Sequence, residues 1–168
     1  NPHPDVNLGF SLNLGYKGFD FSVTGSGAFG HELVRSTNSG NSQIENLNKK
    51  LLYESWAGEG TSNALPKLTN LANINWKTFS EIWVEKGDYV KIQNVTLGYD
   101  FKKLFPKMSL SQARLYVTAQ NLFTFTGYSG MDPEVGASGN DDYKWSKGID
   151  LGFYPAPRTY LVGVNLKF

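Results

Sequence analysis

Apolar and polar residues alternate with a period of two over several stretches of this 168-residue chain. From Leu8 to Tyr16, the side chains Leu8, Phe10, Leu12, Leu14 and Tyr16 share one face, with Gly9, Ser11, Asn13 and Gly15 on the other, as in a strand with two unlike surroundings. Lys17-Gly18 then makes a short turn. Phe19, Phe21 and Val23 resume the alternation against Asp20, Ser22 and Thr24, so a tight hairpin is expected. A further strand from Tyr89 to Phe101 carries Val95, Leu97, Tyr99 and Phe101 on one face. Its Val90 and Ile92 are out of phase, which a β-bulge near Asn94, or a strand top that leaves the membrane, would account for. Leu115, Val117 and Ala119 alternate with Tyr116, Thr118 and Gln120 in the next strand, and Tyr160, Val162, Val164, Leu166 and Phe168 form one face of the last. The expected strands cover residues 6–16, 19–30, 89–101, 113–125 and 158–168.

The connections between them are alternately short and long. Lys17-Gly18 and the segment Lys102–Ser111, with Pro106, are turns, whereas residues 31–88 and 126–158 are polar loops. The first loop is expected to contain a short helix, with Ile44, Leu47, Leu51 and Leu52 at helical spacing after a Ser42-to-Glu45 capping box. Its Trp56, Trp76 and Trp83 require burial. Short turns on one side and long loops on the other are the pattern of an all-β, antiparallel transmembrane barrel, with the turns in the periplasm and the two long loops extracellular. Five strands cannot close such a barrel, and an open edge in lipid is prohibitive, so the missing strands are expected before Asn1. The start Asn1-Pro2-His3-Pro4, with neither Met nor signal peptide, reads as an internal one.

Composition supports strands: aromatics reach 14%, with 18 glycines. No apolar run is long enough for a transmembrane helix, a test that barrel strands evade because their average hydropathy is low. A net charge of +1 with scattered Lys and Arg predicts no nucleic-acid partner, and zero cysteines exclude disulfides and thiolate chemistry.

Candidate chemistry is sparse. Gly25-Ser26-Gly27-Ala28-Phe29-Gly30 fits G-x-G-x-x-G but continues a strand where a dinucleotide site needs a helix. His3 and His31 have no partner at metal spacing, and no nucleophile elbow occurs. The acidic loop residues Asp132, Glu134, Asp141 and Asp142 lack the register of a calcium loop and read as hydrated turns. No catalytic residue, metal or cofactor is expected. The aromatic set Tyr128, Tyr143, Trp145, Phe153 and Tyr154 suits loop packing or stacking on sugar or peptide. A soluble β-sandwich glycan-binding module, burying the same apolar faces internally, is the alternative reading. A barrel-embedded enzyme would need a facing nucleophile and base, and the sequence presents none.

Five segments carry a resemblance: YKGFD (16–20), GDYVKIQNVTLGY (87–99), TAQNLFT (118–124), YSGMDPEV (128–135) and YPAPRTY (154–160). With them in this order, the chain resembles the C-terminal end of the SusC/RagA-like TonB-dependent transporters of Bacteroidota. The resemblance implies the last five strands of a barrel of about 22 in the cell outer membrane, with plug and TonB box upstream. It also implies import of oligosaccharides or peptides, a SusD-like lipoprotein lid, TonB coupling through the plug, and contact with outer-membrane lipid. Tyr128, Asp132, Glu134, Tyr143, Trp145 and Tyr154 are the expected substrate or lid contacts. Tyr160, Val162, Val164, Leu166 and Phe168 resemble the C-terminal signal for barrel assembly. Lys91 stands where the family pattern leads one to expect Arg.

Overall fold

A computed structural model describes residues 1–36, 49–68, 80–134 and 147–168. The chain divides into two compact units, one comprising Asn1–Glu32, Lys86–Glu134 and Tyr154–Phe168, the other Leu33–Glu85 and Val135–Phe153.

The first unit is a five-stranded antiparallel sheet. Its strands are β1 (Val6–Tyr16), β2 (Phe19–Phe29), β5 (Tyr89–Asp100), β6 (Gln112–Thr126) and β8 (Thr159–Lys167), in that spatial order. At 9 to 15 residues, they reach the roughly 9–11 residues that a tilted strand needs to cross a bilayer. The β1–β2 connection is a two-residue turn with Lys17 at φ 47° and Gly18 at φ 95°. Positive φ at both central positions is the hairpin geometry whose twist matches that of its strands.

Because directly paired residues share a face, the register assembles the alternation into continuous rows. Leu14, Phe21, Leu97, Val117 and Val162 form one row across the sheet. Leu12, Val23, Val95, Ala119 and Tyr160 lie on one side of it, and Tyr16, Phe19, Tyr99, Leu115 and Val164 on the other. Most of these side chains are exposed; Val162 retains 73% of its accessible surface. A sandwich would bury them. The opposite face carries rows such as Asn13, Ser22, Thr96 and Thr118, where the two threonine hydroxyls lie 2.8 Å apart.

One irregularity sets the register towards the loop end. Thr24 pairs with Asn94 but Gly25 with Ile92, leaving Gln93 as an extra residue that donates from Nε2 to Ser26 Oγ at 3.0 Å. Val90 and Ile92 thereby join Val95 and Leu97 on the apolar face, while Tyr89 and Lys91 join the polar one. On β6, Asn121 and Leu122 stand between Gln120, opposite Asn94, and Phe123, opposite Ile92, and Asn121 takes φ 52°.

The G-x-G-x-x-G segment is the end of β2, followed by Gly30 at φ 81°. Its glycines leave space for neighbours: a Cβ at Gly25 would collide with the Phe10 ring and the Lys91 carbonyl, and one at Gly27 would lie 2.8 Å from the Tyr89 carbonyl.

The second unit contains structure that the polar loops were not expected to hold. Strands β3 (Glu32–Arg35), β4 (Val84–Lys86) and β7 (Ile149–Asp150) make a sheet in the order β4-β3-β7. β7 runs parallel to β3, with Val34 N donating to Gly148 O at 2.7 Å and Ser36 N to Asp150 O at 2.9 Å. Strands of two to four residues are too short to show an alternation, which is why residues 31–88 and 126–158 read as loop. Trp83 is buried against Val34, Leu65, Leu68 and Ile82, while Trp56 is partly exposed beside Lys67. Arg35 is also buried, 3.3 Å from Glu85. A six-residue helix, α1 (Lys49–Glu54), lies in the first loop. The expected capping box at Ser42–Glu45, with Ile44, Leu47 and Trp76, lies outside the described residues.

Candidate binding site at the loop end of the sheet

The bulge turns Lys91 towards the polar face, where an ammonium needs partners. Its side chain is 5% exposed and ion-paired to Glu134, with Asp132 Oδ2 at 3.7 Å. Tyr89, two residues earlier on the same face, donates its hydroxyl to Glu134 Oε1 at 3.1 Å. Asp132 shapes the carboxylate pair, since its Oδ1 accepts from Glu134 N at 3.0 Å and bends the chain around Pro133. The acidic segment is therefore pinned to the sheet. Two carboxylates around one ammonium leave net negative charge that is already hydrogen-bonded, so the pair is spent on anchoring. Among the described residues, no group of three His, Cys, Asp or Glu side chains has metal-binding geometry. Asp141 and Asp142 lie outside those residues.

Side chains also tie the neighbouring backbone together. Thr126 Oγ1 donates to Asp88 O at 2.8 Å and accepts from Tyr128 N at 3.0 Å, while Asp88 Oδ1 accepts from Gly30 N at 2.7 Å. A cleft of about 510 Å³ opens beside this anchor, lined by Lys91, Thr124, Thr126, Met131 and Asp132 on one side and Tyr154–Arg158 on the other. Asn121 Nδ2 holds the second lip by donating to Pro157 O at 3.1 Å. Arg158 stands 5.8 Å from the centre of the Phe123 ring.

The six expected contact residues have unlike positions. Tyr154 is 88% exposed at the cleft and available for stacking. Asp132 lines the cleft, Glu134 holds Lys91, and Tyr128 is buried. Tyr143 and Trp145 lie outside the described residues. Along β8, Tyr160, Val162, Val164 and Leu166 are exposed on the apolar face, and Phe168 follows at 93% exposure. Asn121 and Arg158 were not singled out as site residues. Both lie within the TAQNLFT and YPAPRTY segments, which were the available signal.

A second polar cluster lies at the turn end of the same face. Arg114 grips Asp20 with two hydrogen bonds, Nε to Oδ1 at 2.8 Å and a terminal nitrogen to Oδ2 at 2.5 Å, reaching over Gly98. A Cβ at Gly98 would lie 2.5 Å from Asp20 Oδ1. The Arg114 guanidinium also faces the Tyr116 ring at 4.7 Å, and that ring fills the space over Gly163.

A two-faced sheet of membrane-crossing length with an exposed apolar surface defines a transmembrane barrel segment, and comparison with known proteins gives it a family context. No protein-family model matches the sequence. The chain is 32% identical to TonB-dependent receptor P3 of Formosa agariphila across its whole length, which is 17% of that protein. It is 27% identical to TonB-dependent receptor SusC of Bacteroides thetaiotaomicron, over 99% of this chain and 15% of that one. The RagAB peptide importer, solved in an 'open-open' state, superposes with a TM-score of 0.72 at 26% identity over 98% of this chain and 17% of that one. The chain thus spans about a sixth of the length of the relatives it matches. Its resemblance to SusC/RagA-like TonB-dependent receptors holds along the whole chain, in sequence and fold, as that of an outer-membrane segment.

Proposed function

We propose that this chain contributes five strands to an outer-membrane barrel of about 22 strands, in a protein that imports oligosaccharides or peptides. The carrying observation is the unbroken exposed apolar face backed by a polar one, which suits lipid outside and an aqueous lumen inside. The two long connections then lie extracellularly and the short turns in the periplasm. The RagAB neighbour, described as a peptide importer, supports a peptide cargo. A SusD-like lipoprotein lid and TonB, acting through an upstream plug, complete the proposed machine. In this reading Tyr154 and Arg158 offer a stacking ring and a cation to cargo or lid, and Tyr143 and Trp145 are proposed as further contacts. Asp132 and Glu134 position their segment through Lys91, and Tyr128 supports it from within. The β8 stripe ending at Phe168 serves as the assembly signal.

The test uses the full-length protein in its host. Tyr154→Ala combined with Arg158→Gln is expected to lower uptake of labelled peptide or oligosaccharide, or recovery of the lid protein, while leaving the amount of barrel in the outer membrane unchanged. Unaltered uptake and lid recovery would remove these residues from the site. Deletion of Phe168 is expected to reduce membrane insertion itself, and normal insertion of the truncated protein counts against the signal.

A further inference from the structure

The turn end of the sheet carries charge that the fold does not consume. Lys102 caps its own turn, donating to Pro106 O at 3.0 Å and Met108 O at 2.6 Å. Lys17, Lys103 and Lys107 are exposed, and among the described residues no ion pair engages them. The nearby side-chain carboxylates are already occupied: Asp20 is held by Arg114, and Asp100 Oδ1 accepts from Lys102 N at 3.0 Å and Ala113 N at 3.3 Å. The turns are in contact, since the Lys103 side chain packs 3.1 Å from the Cβ position of Gly18 and Asp100 N donates to Gly18 O at 2.8 Å. Two lysines of different hairpins are thereby brought to one edge.

That edge continues the apolar face. Tyr16, Phe19 and Tyr99 belong to its last row, with the Phe19 and Tyr99 ring centres 4.5 Å apart. Lys17 Nζ lies 5.2 Å from the Tyr16 ring centre, so a cation stands directly at the rim of the aromatic row. Aromatic rings with amphipathic edges sit at the headgroup level of a bilayer, and long basic side chains extend from there to phosphate.

We infer that Lys17 and Lys103, beside the collar of Tyr16, Phe19 and Tyr99, together with Lys107 exposed in the same turn as Lys103, form a docking surface for the anionic phospholipid headgroups of the periplasmic leaflet. Charge complementarity and continuity with the apolar face select this occupant. The leaflet assignment rests on the barrel orientation proposed above.

The experiment compares the full-length protein with two triple variants, Lys17→Gln/Lys103→Gln/Lys107→Gln and Lys17→Arg/Lys103→Arg/Lys107→Arg. Each is purified in detergent and offered phosphatidylglycerol, phosphatidylethanolamine or lipid A, and retained lipid is counted by native mass spectrometry. The wild-type protein should retain phosphatidylglycerol over phosphatidylethanolamine. The Gln variant should lose this preference, by about fivefold for each lysine removed, and the Arg variant should keep it. A folded, heat-modifiable barrel whose Gln variant retains phosphatidylglycerol as well as wild type overturns the headgroup surface and leaves the barrel reading intact. Lipid A competing equally for the same lysines overturns the periplasmic source. Protein that shows no barrel behaviour in detergent overturns the orientation on which the inference stands, and the inference with it.

Discussion

The five-stranded sheet and the small sheet β4-β3-β7 place their apolar residues in opposite ways. In the first, Leu97, Val162 and their neighbours are exposed, and only an external apolar medium can cover them. In the second, Trp83 is buried against Val34, Leu65, Leu68 and Ile82 of the same unit. Apolar surface thus drives both, but one depends on the membrane and the other on its own packing.

The largest expected effect tests the self-packed side. Trp83→Ala removes the centre of its cluster and should cost the second unit about 3–5 kcal/mol, read as faster amide exchange over Leu33–Arg35 in the full-length protein. An equal acceleration throughout β5 and β6 would mean that the two units do not have separate stabilities. The membrane-dependent side is probed by Val162→Arg, expected to cost about 2–4 kcal/mol near the bilayer midplane in denaturant unfolding from vesicles. Leu161→Arg, one residue away on the polar face, should cost well under that. Equal losses would collapse the distinction between the faces. Gly98→Val should cost about 1–3 kcal/mol by overpacking, because its side chain would occupy the path of the Asp20–Arg114 pair. Arg114→Gln should be mildest, under about 1 kcal/mol in the same unfolding measurement, since both partners remain partly exposed.

The same contrast explains what could be read from sequence. Strand β1 is legible because lipid-facing and polar surroundings act on alternate residues over 11 positions, imprinting a period of two. Strand β3 is only Glu32-Leu33-Val34-Arg35. Leu33 and Arg35 are both buried, so its inward side mixes an apolar residue with a cation whose partner, Glu85, is distant in sequence. Its parallel neighbour β7 is still farther along the chain, and no local pattern announces such pairing. At the candidate site, Asp132 and Glu134 were visible as acids and Lys91 as a charge within a strand. Their association was not, because Glu134 lies 43 residues beyond Lys91 and no local pattern brings it back to the sheet.

The bulge at Gln93 gives β5 an odd-and-even rule. Drawing Gln93 into a regular ladder would put Tyr89, Lys91 and Gln93 on the side occupied by Leu97 and turn Val90 and Ile92 to the other. The ammonium that anchors Asp132 and Glu134 would face the apolar medium, and two aliphatic side chains would face water. Loss of Gln93 itself would leave every other side chain on its present face, because Ile92 would then follow Asn94 in ordinary alternation. β5 can therefore shed its extra residue and keep the acidic segment tied to the sheet, whereas flattening the bulge at full length would sever that tie without altering any of the segment's own chemistry.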